Sequence, residues 1–292
     1  MFDRSPDQLP GPPRTPAEDR LVIEAQQLRA RPGFPQALRA YTAGLAEFRE
    51  ASRLFSKAMA NEARFRTVRY LIYLDSDRER FGEDGGASYG RLLDLCTRRH
   101  EIGPRVLKTM LALMTLTGLV RSRRGTTDSR QRFYHPTPRL LALARQRLAN
   151  AARALDILEP QLQRTRMMLD DPNAVRRMSV SAGREHTMGD PPTDRMPEFI
   201  AYYGGQEGAA PLVFTVMLAD FDRTPLPSRA AIARRFGLSK TQVSNLITEG
   251  ARQGYLTLDG RGVPAATPHL RDSFQRWISI ELAYHARHMR LG

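Results

Sequence analysis

The chain has 292 residues, 41% hydrophobic and 26% charged, enough apolar material for two domains with cores and too much for a chain disordered throughout. Its formal charge of +14 calls for a polyanion or another acidic partner, or else a solvated basic surface with none, and nucleic acid leads the first class. All but three of the 45 basic residues are Arg, which a GC-rich coding sequence also favours, so arginine clusters alone weigh less.

Residues 1–16 hold five prolines and little apolar surface, which predicts a mobile arm. Acidic residues and prolines stand where a signal peptide needs an apolar core, and no apolar run reaches membrane-spanning length. A cytoplasmic protein without a membrane partner is expected, associated with the nucleoid when bound to DNA. The single cysteine, Cys96, excludes an intramolecular disulfide and a cysteine-rich zinc site.

Residues 17–59 read as two helices, 18–30 and 35–58. The second carries Leu38, Tyr41, Leu45, Phe48 and Phe55 at three- and four-residue spacing, a stripe that needs a partner surface.

Residues 60–150 read as a first domain. A helix over 61–74 turns Phe65, Val68, Leu71 and Ile72 inward, residues 75–86 form an exposed charged loop, and a helix over 88–98 carries Leu92, Leu93, Leu95 and a core Cys96. In the helix over 104–117, Val106, Leu107, Met110, Leu111, Leu113 and Met114 are inward, and Arg105, Lys108, Thr109 and Ala112 outward. A hairpin follows, with Arg121, Arg123, Arg124, Arg130 and Arg132 against one acid, Asp128, around Gly125-Thr126-Thr127. Period-two placement puts Arg121 with Arg123, and Arg130 with Arg132, on single faces, where like charges repel unless phosphates neutralise them.

Residues 151–195 read as a helical and flexible linker. A helix from Pro138 extends to about Leu169 with a break at Pro160. Beyond it, Pro172, Gly183, Gly189, Pro191 and Pro192 among polar residues without periodicity predict an interdomain segment with Arg176 and Arg177 solvated.

Residues 196–292 read as a second domain. A short aromatic helix over 196–203 suits packing or a ligand pocket. Ser228–Leu256 then reads as a helix-turn-helix: Ile232 faces a core, Gly237 turns the chain, Leu238 fills the corner and Ser239 caps a second helix. Val243, Leu246 and Ile247 form the inner face of that helix. Lys240, Thr241, Gln242, Ser244, Asn245 and Thr248 form its outer face, a set of groups suited to reading a DNA groove. A small uncharged hairpin over 257–263 precedes a terminal helix with Phe274, Trp277, Ile278 and Leu282. His285 and His288 share a face of it, but without a third ligand no metal or cofactor is assigned.

The two domains repeat. Ile102 and Gly118 are spaced as Leu238 and Gly254 are, Arg98-Arg99 align with Arg234-Arg235, and Thr137-Pro138-Arg139-Leu140 answers Thr267-Pro268-His269-Leu270. Threonine followed by proline starts a helix. Each domain therefore reads helix, helix, helix, hairpin, helix.

These residues resemble the DNA-binding half of bacterial winged-helix regulators of the MarR-like kind. The resemblance implies a mainly α fold with short β-hairpin wings, two winged helix-turn-helix domains joined by a long helix and linker. It implies double-stranded DNA as partner, flanking helices that form a homodimer or dock the halves, and release by a small-molecule effector that no residue identifies. An enzyme is not expected: the chain has no phosphate-binding loop, nucleophile elbow or HExxH motif. A plasmid-type replication initiator and a winged-helix protein-interaction module are the competing functions.

Overall fold

The computed structural model describes residues 19–51, 59–83, 85–98, 102–125, 130–187 and 191–289. The Pro-rich arm, the predicted end of the second helix over 52–58 and the hairpin tip over 126–129, Asp128 included, lie outside them.

The fold is mainly helical with two small antiparallel hairpins. Asp19 caps α1 (Arg20–Arg29), accepting from the Leu21 and Val22 amides, and α2 (Phe34–Ala51) buries Leu38, Tyr41, Leu45 and Phe48. The first unit comprises α3 (Glu62–Ser76), the single turn α4 (Arg78–Phe81), α5 (Tyr89–Thr97), α6 (Pro104–Leu116), the pair β1 (Val120–Arg124) and β2 (Arg132–Pro136), and α7 (Pro138–Leu158). Asn61, Ser88 and Thr137 accept from backbone amides at the starts of α3, α5 and α7. Then come a 3-10 turn (Pro160–Leu162), α8 (Arg164–Asp170), α9 (Ala174–Thr187) and α10 (Pro197–Tyr203). The second unit comprises α11 (Ala209–Asp222), α12 (Arg229–Phe236), α13 (Lys240–Arg252), β3 (Leu256–Leu258), β4 (Pro264–Ala266) and α14 (Pro268–His288).

The helix from Pro138 stops at Leu158, is broken at Pro160 as expected, and resumes as α8 after Gln163 turns the chain at φ 44°. Two other sequence expectations need correction. The expected linker contains α9, which buries Ala174, Val175, Met178 and Ala182 and packs on α3. Gly183 permits that approach, because a Cβ there would lie 2.3 Å from the Tyr73 ring. Nor is the 75–86 segment wholly exposed. Asp75 and Asp77 are 1% exposed and bind Arg176 and Arg184 of α9, so Arg176 is not solvated, and Arg177 pairs with Asp171.

The hydrophobic residues form one contiguous core. Within it α2 lies against both α7 and α11, and α1 lies against α14. The N-terminal helices thus dock the two units within one chain. The aromatic residues of α10 are packed rather than open: Tyr202 stacks on Tyr255, and Tyr203 meets Phe214 and Phe274.

One polar cluster crosses this core. Arg147 of α7 donates to Glu281 of α14 at 2.6 Å and to the Tyr41 hydroxyl of α2 at 3.3 Å, and its guanidinium lies 4.5 Å from the centre of the Phe65 ring. The two side chains are 16% and 10% exposed. Burial alone would raise the Glu281 pKa, but Arg147 and the neighbouring His285 hold it down to about 2.

Removing one member of such a pair strands the other charge away from water. Arg147→Met should cost about 3–5 kcal/mol in urea unfolding, and Arg147→Met with Glu281→Leu should recover most of that loss. Since the folded pKa of Glu281 lies below its ordinary value, its contribution is complete above about pH 4.5. The melting temperature should therefore fall as pH drops from 4.5 through about 2, and the double variant should flatten that part of the profile.

Candidate nucleic-acid interface

The two units share their exit from the third helix bond for bond. Gly118 and Gly254 adopt φ 69° and 75°, a left-handed conformation open to glycine without a steric penalty. The next amide then returns to the helix: Leu119 N–H donates to Met114 and Tyr255 N–H to Gly250, each at 2.9 Å. After each hairpin a threonine closes the loop. Thr137 Oγ1 donates to the Gly118 carbonyl at 2.8 Å and Thr267 Oγ1 to the Gly254 carbonyl at 2.7 Å, while each oxygen caps the following helix. This local chemistry holds each hairpin beside its helix.

In the second unit Gly237 turns at φ 68° between α12 and α13. Ser239 Oγ accepts from Gln242 N–H at 3.0 Å, and Gln242 Oε1 accepts from Ser239 N–H at 2.9 Å. This reciprocal cap leaves the Gln242 amide NH2 as its outward group. Reading adenine with both ends of a glutamine needs its oxygen as well. The expectation for Gln242 is therefore narrowed, and Asn245, exposed one turn on, is the amide with both ends available. Lys240, Thr241 and Thr248 are exposed on the same helix, and Ser244 is half-buried. Arg229 spans the unit, reaching Ser244 Oγ at 3.4 Å and the Gly262 carbonyl at 2.8 Å, so helix and hairpin are tied together.

In the first unit Arg121, Arg123, Arg124, Arg130 and Arg132 are all exposed. Arg121 lies opposite His135, Arg123 opposite Phe133, and Arg124 directly opposite Arg132; Arg130 precedes the strand. Like charges facing each other across a hairpin destabilise it unless an anion intervenes. Elsewhere the arginines are largely engaged within the chain, as in Arg39–Asp222, Arg195–Asp19, Arg271–Asp220 and Arg287–Glu24. Arg121, Arg123, Arg124 and Arg132 have no ion-pair partner among the described residues.

The base of that hairpin is fixed by a buried acid. Asp75 of α3 takes His135 Nδ1 at 2.7 Å, Arg176 at 2.7 Å and Arg78 at 3.1 Å. The Tyr134 N–H donates to the Ala87 carbonyl at 2.9 Å, and Phe133 bridges Ser88. The root of the hairpin is thereby anchored while its arginines face outward. Sequence reading missed Asp75, because its partners lie 60 and 101 residues away.

The outer face of α6 departs from expectation. Val106 and Leu113 are each 37% exposed rather than inward, and Leu116 is 86% exposed. Arg105, Lys108 and Thr109 are exposed as expected. The Thr109 hydroxyl, however, donates to the Arg105 carbonyl at 3.0 Å, and Lys108 sits 5.7 Å from the Tyr89 ring centre. The sequence offset of the repeat aligns Val106 with Gln242 of α13, and Leu113 with Glu249. The outer face of α6 is therefore less polar than that of α13.

His285 and His288 belong to α14 contacts, with Glu281 and with Ser181 and Glu185, and no cluster of three or more metal-binding side chains occurs among the described residues. No helix there is long and apolar enough to cross a membrane.

Ser239→Ala should destabilise the chain by about 1 kcal/mol in urea unfolding, the usual value of an N-cap, and should raise exchange at the Gln242 amide. No family model, curated protein or solved structure matches the chain, so its reading rests on its residues and their geometry.

Proposed function

We propose that this protein is a sequence-specific double-stranded DNA-binding transcription regulator, built from two winged helix-turn-helix domains of the MarR-like kind and acting by occupying a promoter site. The observation that carries this reading is the hairpin on which Arg121, Arg123, Arg124 and Arg132 are exposed without an ion-pair partner among the described residues, alongside an exposed polar helix in the other unit.

The work is divided. Arg121, Arg123, Arg124, Arg130 and Arg132 supply phosphate or minor-groove contacts, which give affinity with little sequence choice. Lys240, Thr241, Ser244, Asn245 and Thr248, with the NH2 of Gln242, supply base contacts in a major groove. Arg105, Lys108 and Thr109 add phosphate contacts from the first unit. The two units differ in sequence, so a single chain prefers a non-palindromic site, with half-sites about 10 bp apart if a pseudo-two-fold axis relates them.

The exposed Val106, Leu113 and Leu116 support a second reading for the first unit alone, that of a protein-contacting helix. Recovery of bound DNA from cells separates the functions: promoter enrichment supports regulation, enrichment confined to an origin supports replication initiation, and no enrichment supports protein interaction.

Asn245→Ala should lower discrimination between the recovered site and random DNA by about 1–3 kcal/mol while leaving nonspecific affinity intact. Arg123→Gln with Arg124→Gln should weaken binding to both DNAs and reduce the slope of log affinity against log salt by about 2. A folded variant of either kind with unchanged binding removes that residue set from the interface.

A further inference from the structure

The outward face of α6 carries hydrocarbon where α13 carries hydrogen-bonding groups. At the offset of the repeat, Val106 answers to Gln242, Thr109 to Asn245, Ala112 to Thr248 and Leu113 to Glu249. All four of these α6 residues are exposed, and the one hydroxyl among them, on Thr109, gives its proton to the Arg105 carbonyl. Val106 and Leu113, each 37% exposed, fall on one line down the helix, because seven residues make almost two turns. Hydrocarbon left in water is a cost that an apolar contact removes.

The surroundings of this face are cationic. Helix α6 contains no acidic residue, and its Arg105 and Lys108 are exposed without an ion-pair partner among the described residues. The strand β1, with Arg121, Arg123 and Arg124, follows it and packs against it. A second copy of the same face would bring like charges together. An apolar line edged by cations complements a surface with apolar groups on its floor and anions at its rims. The major groove of DNA has that form wherever thymine occurs, since the C5 methyl of thymine stands in the groove between two rows of phosphates.

We propose that α6 reads thymine methyl groups in the major groove through Val106 and Leu113, so that the first unit selects a half-site by its thymines. This inference rests on the DNA-binding reading and adds to it the class of sequence that the first unit takes. Val106 is the principal contact, because it lies in the first turn of α6 and recognition helices meet base edges chiefly from their N-terminal residues. Leu113 is the second contact. At 1.5 Å per residue the two lie about 10 Å apart along the helix, and base steps are about 3.4 Å, so a helix lying along the groove meets methyls about three base pairs apart.

The test uses the full chain and duplexes selected by it from a random pool, with binding followed by fluorescence anisotropy. Each thymine of the selected site is replaced in turn by deoxyuridine, which keeps the base-edge donors and acceptors and removes only the methyl. At least one such replacement should weaken binding about fourfold, the hydrophobic value of one buried carbon. Val106→Ala should weaken the thymine duplex by a similar factor and leave the deoxyuridine duplex and random DNA unchanged. Val106→Gln, which gives α6 the residue that α13 carries, should likewise erase the preference for the methyl; melting curves by circular dichroism establish that each variant is folded. Equal binding of the thymine and deoxyuridine duplexes at every position, or a methyl effect that persists in both Val106→Ala and Leu113→Ala, would overturn the proposal, leave sequence-specific DNA binding in place and assign this face to a protein partner. Absence of salt-sensitive binding to any DNA, selected or random, would instead remove the DNA-binding reading and this inference with it.

Discussion

The contact between Arg147 and Glu281 joins the two units of the chain. The helices that carry them are equivalent in the repeat, each starting at a Thr-Pro pair after a hairpin, and Tyr41 brings the N-terminal helix to the same point. Apolar helix faces tolerate small slides past one another, since leucine and alanine side chains repack at modest cost. A desolvated charge does not, because displacement from its partner leaves it stranded. The pair is therefore better understood as fixing how α7 meets α14 than as adding stability outright. The bearing of the Arg-rich hairpin on the polar helix follows from that junction.

Charge is distributed by the same logic. A formal +14 alone suggests a diffusely basic surface. Folding instead uses many arginines as cross-links: Arg176 and Arg184 reach from α9 to Asp75 and Asp77, and Arg195 reaches back to Asp19. The first hairpin holds a group of four arginines without an ion-pair partner among the described residues, and there Arg124 faces Arg132.

The two units share their backbone chemistry at the hairpin and differ in side chains. Both retain the left-handed glycine, the returning amide and the threonine that closes the hairpin, because these bonds define the turn whatever surrounds it. Their outer helix faces carry no such constraint. One is polar and capped by Ser239, while the other begins at Gly103-Pro104 without a side-chain cap and exposes Leu116.

What neighbouring residues decide was legible in the sequence: Ser239 as a cap, Gly237 as a turn, Thr-Pro as the start of α7 and α14, and the arginines of the hairpin. Each is a short-range event whose donors and acceptors lie within a few residues or across one turn. Packing settled the rest: which arginines pair within the chain, that residues 174–187 form a packed helix, and that Val106 and Leu113 face outward. The apolar positions of α9 are few, and its helix gains definition from the α3 surface it meets. Ion pairs such as Arg147 with Glu281, 134 residues apart, depend on which surfaces fold together, and no local spacing encodes that.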